Sequence, residues 1–213
     1  ESSVFVGETN NMLGRSVKAN EENKIRHRKC TLARARRDVR RLINANVFAW
    51  GERPKFLTLT FAENIKNIKQ ANYEFKKFRQ RLEYDLKIKL KYVVVIEFQK
   101  RGAIHYHVVF FNLPYVEADF LASIWGNGFI KINAIEHVDN VGAYVTKYMT
   151  KDFDDERLRG KKSYFTSRGL FKPLEKYLND EDEKEIANMK DKLSHKKVYE
   201  GRYENEYTGN ILY

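Results

Sequence analysis

The chain has 213 residues, of which 42% are hydrophobic and 14% aromatic, so it can form one sizeable hydrophobic core. Its formal net charge of +11 predicts a polyanionic partner, most often nucleic acid. A single cysteine, Cys30, excludes an internal disulfide and a cysteine-based zinc site, and no apolar run approaches the ~18 residues of a membrane span. We therefore expect a cytoplasmic protein with no membrane partner.

The N-terminal region is strongly basic. Residues 15–41 carry eleven Lys and Arg against three acidic residues, and apolar residues recur there at three- and four-residue steps. This pattern predicts a basic amphipathic helix continuing toward Trp50, which packs on the domain, follows DNA phosphates, or does both. Its candidate DNA-binding side chains are Arg34, Arg36, Arg37, Arg40 and Arg41.

The elements beyond a Gly-Glu-Arg-Pro break follow a simple order. The sequence predicts a strand over residues 55–61, a helix over 64–90, a hairpin over 92–111, a short helix over 116–125, a strand over 129–135 and a helix over 139–153. This order predicts an α+β fold, an antiparallel β-sheet with the βαββαβ order of RRM-like domains and helices packed on one face.

Three segments are predicted along the chain. Residues 1–54 form the basic N-terminal arm and helix, and residues 55–173 form the core. Residues 174–213 are acidic overall and form a charged helix and a possible hairpin packed on the core. The core is therefore flanked by helical segments at both ends.

The hairpin carries three polar residues among apolar ones. His105 and His107 are two residues apart and share one face of a strand. If the turn is centred on Arg101, Glu97 lies directly opposite His105, with the Cβ atoms ~5 Å apart. One carboxylate and two imidazoles on one face predict an open metal site for Mn²⁺ or Mg²⁺, to which Zn²⁺ or Co²⁺ could also bind. Alternatively, the two histidines simply face water.

Two tyrosines share a face of the last predicted core helix. Tyr144 and Tyr148 are four residues apart, and Lys147 and Lys151 each follow a tyrosine by three residues. Aromatic residues at this spacing usually belong to a core. Here, however, a separate apolar stripe is already supplied, by Val141, Val145, Met149 and Phe153. A tyrosine becomes an effective nucleophile when a metal or a cation assists it, so both tyrosines and both lysines are candidate catalytic residues.

Three motifs occur in a characteristic order: FLTLTF at residues 56–61, HYHVVFF at 105–111 and YVTKYMTK at 144–151. With them, residues 55–173 resemble the core of rolling-circle replication initiators of the HUH endonuclease superfamily, found in small plasmids and single-stranded DNA phages. SRGL at residues 167–170 resembles a stretch that often follows in these proteins. The tyrosines follow the histidines, unlike the order in relaxases.

This resemblance implies a mechanism and partners. Glu97, His105 and His107 would hold the metal, while Tyr144 or Tyr148 would nick single-stranded or hairpin origin DNA. The products would be a 5′-phosphotyrosine and a 3′-OH for host polymerase, and the strand would later be rejoined. No nucleotide cofactor is expected because residues 160–163, GKKS, lack the earlier glycine of a P-loop, so a host helicase would unwind the DNA. The compartment would be the bacterial cytoplasm.

Further DNA contacts and other functions stay open. Arg101 at the hairpin tip and Arg168 in the SRGL stretch are additional candidate DNA-binding residues. One alternative is a single-strand DNA transposase of the same superfamily. Another is a non-catalytic RRM-like module, which stacks bases on exposed aromatic residues of its central strands. Neither the oligomeric state, monomer or dimer, nor the first of the two tyrosines to attack follows from the sequence.

Overall fold

A computed structural model describes residues 21–99, 101–135, 140–149 and 161–174, together with Lys184, Tyr203–Glu204 and Ile211–Leu212. Ala19–Pro173 forms one compact unit, and Glu1–Lys18 with Leu174–Tyr213 forms a second. The segment limits predicted at residues 54 and 173 stay predictions. No helix within the described ranges is both long and apolar enough to cross a membrane.

The larger unit contains four α-helices and five strands among its described residues. They are α1 (Glu21–Asn44), β1 (Lys55–Thr60), α2 (Ile68–Leu86), β2 (Tyr92–Phe98), β3 (Ile104–Phe110), α3 (Ala118–Trp125), β4 (Ile130–Ala134), α4 (Val141–Thr146) and β5 (Tyr164–Thr166). A 3₁₀ turn, Lys147–Met149, follows α4 directly. In the smaller unit, β6 (Tyr203–Glu204) pairs antiparallel with β7 (Ile211–Leu212), as expected for a C-terminal hairpin. Most of the predicted helix that precedes this hairpin lies outside the described residues.

The sheet confirms the predicted α+β class and βαββαβ order. Its strand order is β4-β1-β3-β2-β5, and every adjacent pair is antiparallel. The edge strand β5 was not predicted, because three residues are too few to show an alternating pattern. It is held by pairing with β2, in which Val94 lies opposite Phe165.

Helices cover both faces of the sheet, so the prediction of helices on one face was wrong. On one face, Leu57, Val94 and Tyr106 join a core with α2 and α3. On the other face, Val95 and Val109 join a second core with the apolar sides of α1 and α4. Because β2 and β3 are buried over their whole lengths, each face requires its own cover.

Local capping explains why two helices are shorter than predicted. The Asn67 side chain accepts hydrogen bonds from the backbone N–H groups of Lys69 (2.9 Å) and Gln70 (3.4 Å), so α2 begins after residue 67. Lys87 adopts a left-handed conformation (φ 55°) and ends the helix. Gly126 ends α3 in the same way (φ 62°) and donates its N–H to the Ala122 carbonyl.

The predicted helix over residues 139–153 is partly confirmed. Asn140 caps α4 by accepting a hydrogen bond from the Ala143 N–H (2.8 Å), as expected. The α-helix, however, ends at Thr146. The Thr146 hydroxyl donates back to the Gly142 carbonyl (2.9 Å), a bond that bends helices, and the chain tightens into the 3₁₀ turn. Residues 150–160 lie outside the described part of the chain.

Candidate active site

The hairpin has the register that the sequence predicted. Its turn is closed by a hydrogen bond from the Gly102 N–H to the Gln99 carbonyl (2.7 Å), and Gly102 has φ of 90°. As a result, Glu97 lies directly opposite His105 across the two strands. His107 lies two residues further along the same face, between Val95 of β2 and Thr58 of β1. All three polar side chains are buried, with 8% of Glu97, 8% of His105 and 3% of His107 exposed.

Glu97 and His107 are in direct contact. Nε2 of His107 lies 2.5 Å from Oε2 of Glu97, and Nδ1 of the same ring lies 3.2 Å from the Thr58 hydroxyl. A hydroxyl can donate or accept, so Thr58 can hold either neutral tautomer of the ring. When Thr58 accepts from Nδ1–H, the lone pair of Nε2 faces the Glu97 carboxylate. This is the orientation in which an imidazole binds a metal beside a carboxylate.

The complete three-ligand site stays a prediction. Throughout the described part of the chain, no group of three or more His, Cys, Asp or Glu side chains is placed to hold a metal ion. The donor types nevertheless fit a divalent cation, since a carboxylate and an oriented imidazole already meet and a second imidazole lies on the same face.

Both tyrosines lie beside this pair. The Tyr148 ring stacks on the His107 imidazole, with ring centroids 3.8 Å apart and an interplanar angle of 19°. The Tyr144 ring meets Tyr148 edge-on, with centroids 6.2 Å apart. The fully buried Phe56 ring of β1 contacts both tyrosines, at 5.4 Å from Tyr144 and 5.7 Å from Tyr148. The aromatic cluster of Phe56, His107, Tyr144 and Tyr148 therefore fixes the tyrosines against the histidine strand.

The separate apolar stripe has the predicted role within the described residues. Val141, Val145 and Met149 are buried in the core between α4 and the sheet, whereas the two tyrosines remain half-buried. Phe153 lies outside the described residues. The tyrosines are thus packed at the edge of this core without supplying its centre.

A lysine lies over both tyrosine rings. The Lys147 Nζ atom is 3.8 Å from the Tyr144 ring centroid and 5.1 Å from that of Tyr148. This placement is consistent with the predicted role of Lys147 in stabilising negative charge near a tyrosine. Lys151, the second predicted lysine, lies outside the described residues.

The Tyr148 phenol has a raised pKa. Burial is the largest cause, and together with the hydrogen bond to Tyr144 and the negative charge of Glu97 it raises the pKa of Tyr148 to about 12. The phenol is therefore neutral at physiological pH. A cation bound by Glu97 and His107 would oppose part of this effect, because it would offset the carboxylate charge.

The geometry can be compared with known proteins. Residues 54–153 match the model of a replication-associated protein family, that of Replication-associated protein ORF2. The match covers slightly less than half of the chain, yet includes Glu97, both histidines and both tyrosines, and it supports a replication initiator. No curated protein and no solved structure gives a significant match.

Two asparagines that sequence reasoning missed connect α1 to this site. The Asn44 Oδ1 atom accepts from the Gly142 N–H (2.9 Å), and its Nδ2 donates to Asn140 Oδ1 (3.1 Å). A Cβ on Gly142 would lie 2.7 Å from Asn44 Oδ1 and still closer to the Arg40 carbonyl oxygen. The end of the basic helix therefore docks closely on the first turn of the tyrosine helix.

Asn46 makes a second long-range connection. It is fully buried and exchanges hydrogen bonds with the backbone of Phe171, donating to the carbonyl (2.8 Å) and accepting from the N–H (3.0 Å). It also accepts from the Trp50 indole N–H (3.0 Å) and donates to the Leu42 carbonyl (2.8 Å). The only sequence signal for either asparagine is a polar residue near a helix end, which does not identify a partner 98 or 125 residues away.

The predicted DNA-binding arginines occupy several surfaces. Arg34 and Arg37 are exposed on α1, and Arg37 pairs with Asp38 (3.0 Å). Arg36, Arg40 and Arg41 are half-buried on the same helix, and Arg168 is exposed beyond β5. Arg101 is exposed at the hairpin tip, where its Nη2 donates to the Phe61 carbonyl (2.8 Å) and its Nε to Gln99 Oε1 (2.9 Å). Their contacts with DNA stay predictions.

Proposed function

We propose that this protein is a replication initiator that nicks single-stranded origin DNA through a tyrosine nucleophile beside a divalent metal. One observation carries the proposal: the Tyr148 ring stacks on His107, whose Nε2 lies 2.5 Å from the Glu97 carboxylate. A candidate nucleophile and two candidate metal ligands are therefore already in contact in the folded chain.

Glu97, His105 and His107 would hold the metal, with Mn²⁺ or Mg²⁺ as the expected ion. When bound, the ion would supply Lewis-acid polarisation of the scissile phosphate. Thr58 would fix the His107 ring by accepting its Nδ1–H. The His105 side chain would turn on its strand to complete the set, because it already lies on the same face and opposite Glu97.

Tyr148 is proposed as the first nucleophile because its ring is the one in contact with His107. Its Oη would form a bond to phosphorus as the bond between phosphorus and the 3′ oxygen breaks. The phenolic proton is lost, and the released 3′ oxygen takes up a proton to become the 3′-OH. The product is a 5′-phosphotyrosine, which keeps the energy of a phosphodiester and allows later rejoining without a nucleotide cofactor.

Other residues of the cluster would position and neutralise the reacting groups. Lys147, which lies over both rings, would offset charge on the phosphate or on the phenolate. Tyr144 would serve as the second nucleophile in strand transfer, because it is within a hydrogen bond of Tyr148. Lys151 would add a second positive charge, and the arginines of α1 with Arg101 and Arg168 would bind DNA phosphates.

The wider setting follows from this chemistry. A 3′-OH left on the nicked strand requires a DNA polymerase to extend it, and a helicase must separate the strands. We propose that the host supplies both in the bacterial cytoplasm and that the origin is a single strand or a hairpin.

The RRM-like alternative lacks its binding platform. On β1 and β3, the tyrosine-side face of the sheet carries one aromatic side chain, Phe56, and it is fully buried under α4. Bases therefore cannot stack on these central strands as in RNA-recognition folds. A single-strand transposase would share the same site, but the family match supports an initiator in preference.

A covalent adduct assay tests the reaction. The protein is incubated with Mn²⁺ and single-stranded origin DNA, and protein–DNA adducts are separated under denaturing conditions. We expect an adduct with the wild type, none with Tyr148→Phe, and retained first cleavage with Tyr144→Phe. Tyr84→Phe is the matched control, because Tyr84 is exposed on α2 away from the cluster. No adduct with any tested origin or metal would refute the enzyme, whereas loss only in Tyr144→Phe would reassign the nucleophile.

Metal binding is tested without activity. Calorimetric titration with Mn²⁺ should detect binding to the wild type and its loss in Glu97→Gln, which keeps the shape of the side chain and removes its charge. His105→Ala should abolish cleavage while DNA binding is largely kept, and His27→Ala, on an exposed residue of α1, is the control. Equal Mn²⁺ binding by wild type and Glu97→Gln would refute the metal assignment.

A further inference from the structure

A groove lies on the face of the sheet opposite the tyrosines. It has a volume of about 550 Å³ and runs between α2 and the edge strand β5. That volume is within the range of roughly 300–1,000 Å³ that is typical of small-molecule and cofactor sites. Its floor is apolar and aromatic, formed by Ile68, Phe75, Tyr92, Ile96 and Phe165.

The groove has a strongly basic lining. Among the described residues, no acidic side chain lines it and five cationic ones do, namely Lys69, Lys76, Arg79, Lys161 and Lys162. Arg79 is already paired with Glu83 (2.6 Å), but the four lysines are exposed and form no ion pair within the described ranges. This part of the chain therefore presents about four positive charges around an apolar floor. Lys161 and Lys162 belong to the GKKS stretch, for which the predicted chemistry has no use.

We propose that this groove binds one or two nucleotides of a single DNA strand, with phosphates on the lysines and a base against the aromatic floor. Cationic walls that follow a backbone, with aromatic rings for the bases, are the general design of single-strand binding sites. Phe165 is the half-buried ring of the floor, and its edge contacts Phe75 (5.3 Å) and Tyr106 (6.0 Å), which hold it in place.

The position of β5 connects the groove with the tyrosine face. Strand β5 is the last strand at its edge of the sheet, so a DNA strand can pass around it from one face to the other. Tyr164 lines the groove and also packs on the core beneath α4. The groove would thus hold DNA that flanks the reacting nucleotide. Binding there requires neither the metal nor nicking, so this inference does not depend on the proposed function.

Fluorescence anisotropy with a labelled oligonucleotide of eight thymidines tests the groove, with a chelator present to prevent cleavage. We expect Lys76→Glu and Lys161→Glu each to weaken binding about tenfold, the effect of removing one charge-assisted hydrogen bond. The slope of log K against log salt should also decrease by about 0.7 for each phosphate that is no longer neutralised. Lys66→Glu is the matched control, because Lys66 is exposed and does not line the groove.

Location and ligand class are tested separately. An oligonucleotide with photoreactive thiothymidine should crosslink to peptides that contain Phe165 or Lys76. The same experiment with His107→Ala should give the same crosslinks, because the substitution lies on the other face. Crosslinks confined to peptides of the tyrosine face, or unchanged binding by both lysine variants, would overturn the proposal. Thymidine monophosphate or ATP binding as tightly as the oligonucleotide would assign the groove to a mononucleotide and would also overturn it.

Discussion

Gly142→Ala tests whether close packing between α1 and α4 positions the tyrosines. The new Cβ would lie 2.7 Å from Asn44 Oδ1, and the Arg40 carbonyl oxygen would be closer still. The Asn44 side chain could rotate away, but it would then lose its bond to the Gly142 N–H (2.9 Å). The Arg40 carbonyl belongs to a helix backbone and can move only with α1.

Two effects of opposite sign decide the outcome. Alanine stabilises a helix by about 1 kcal/mol relative to glycine, which would favour the variant. Overpacking against a helix backbone costs about 1–3 kcal/mol, and the broken hydrogen bond costs about 1 kcal/mol more. We therefore expect a net loss of about 1–3 kcal/mol in the free energy of unfolding.

Urea unfolding followed by circular dichroism measures this loss. Ala143→Gly, at the next position of α4, calibrates the helix-propensity contribution, because it changes the same pair of residue types in the opposite direction. In the adduct assay, Gly142→Ala should also slow nicking, since a shift of about 1 Å in a reacting group can cost about 100-fold in rate. If Gly142→Ala is as stable as the wild type or more stable, then the close packing of α1 on α4 is wrong.

Three further outcomes follow from contacts around the site. Asn46→Ala should lower the free energy of unfolding by about 2–4 kcal/mol, because it leaves buried partners in the Phe171 backbone unsatisfied; urea unfolding measures this, and a loss under about 1 kcal/mol would contradict it. Thr58→Val should weaken Mn²⁺ binding about 10–100-fold by freeing the His107 ring; unchanged calorimetric affinity would exclude this orienting role. In a chelator, the difference between the ultraviolet titrations of wild type and Tyr148→Phe should show a phenol that ionises at about pH 12. Because this folded-state pKa is raised above the ordinary value of 10, its contribution to stability is complete below about pH 10 and is lost as pH rises toward about 12; ionisation near pH 10 would show that the ring is not buried as described.

Local patterns predicted the hairpin and the strand order well. Alternation fixed which side of the hairpin each residue faces, and a glycine in a short turn fixed the register that puts Glu97 opposite His105. The order of strands and helices then implied an antiparallel sheet. These features depend on residues close together in the chain, so a single sequence contains enough information to predict them.

The missed features all depend on contacts between distant residues. An apolar stripe on α1 shows that the helix is covered but not which face of the sheet covers it, so helices were expected on one face only. The pairing of Asn44 with Gly142 spans 98 residues, and that of Asn46 with Phe171 spans 125. Strand β5 is three residues long and is defined by its pairing with β2, not by its own sequence.

The two faces of the sheet divide the proposed work. One face carries the tyrosines, the histidines and the end of the basic helix, which meet through Phe56 and Asn44. DNA phosphates bound along α1 would therefore act on the same rigid assembly that orients the nucleophile. The groove on the other face is connected with this assembly by β5. A strand held at both places would be bent around the edge of the sheet, so weaker groove binding should impair release or transfer of the strand more than the first nick.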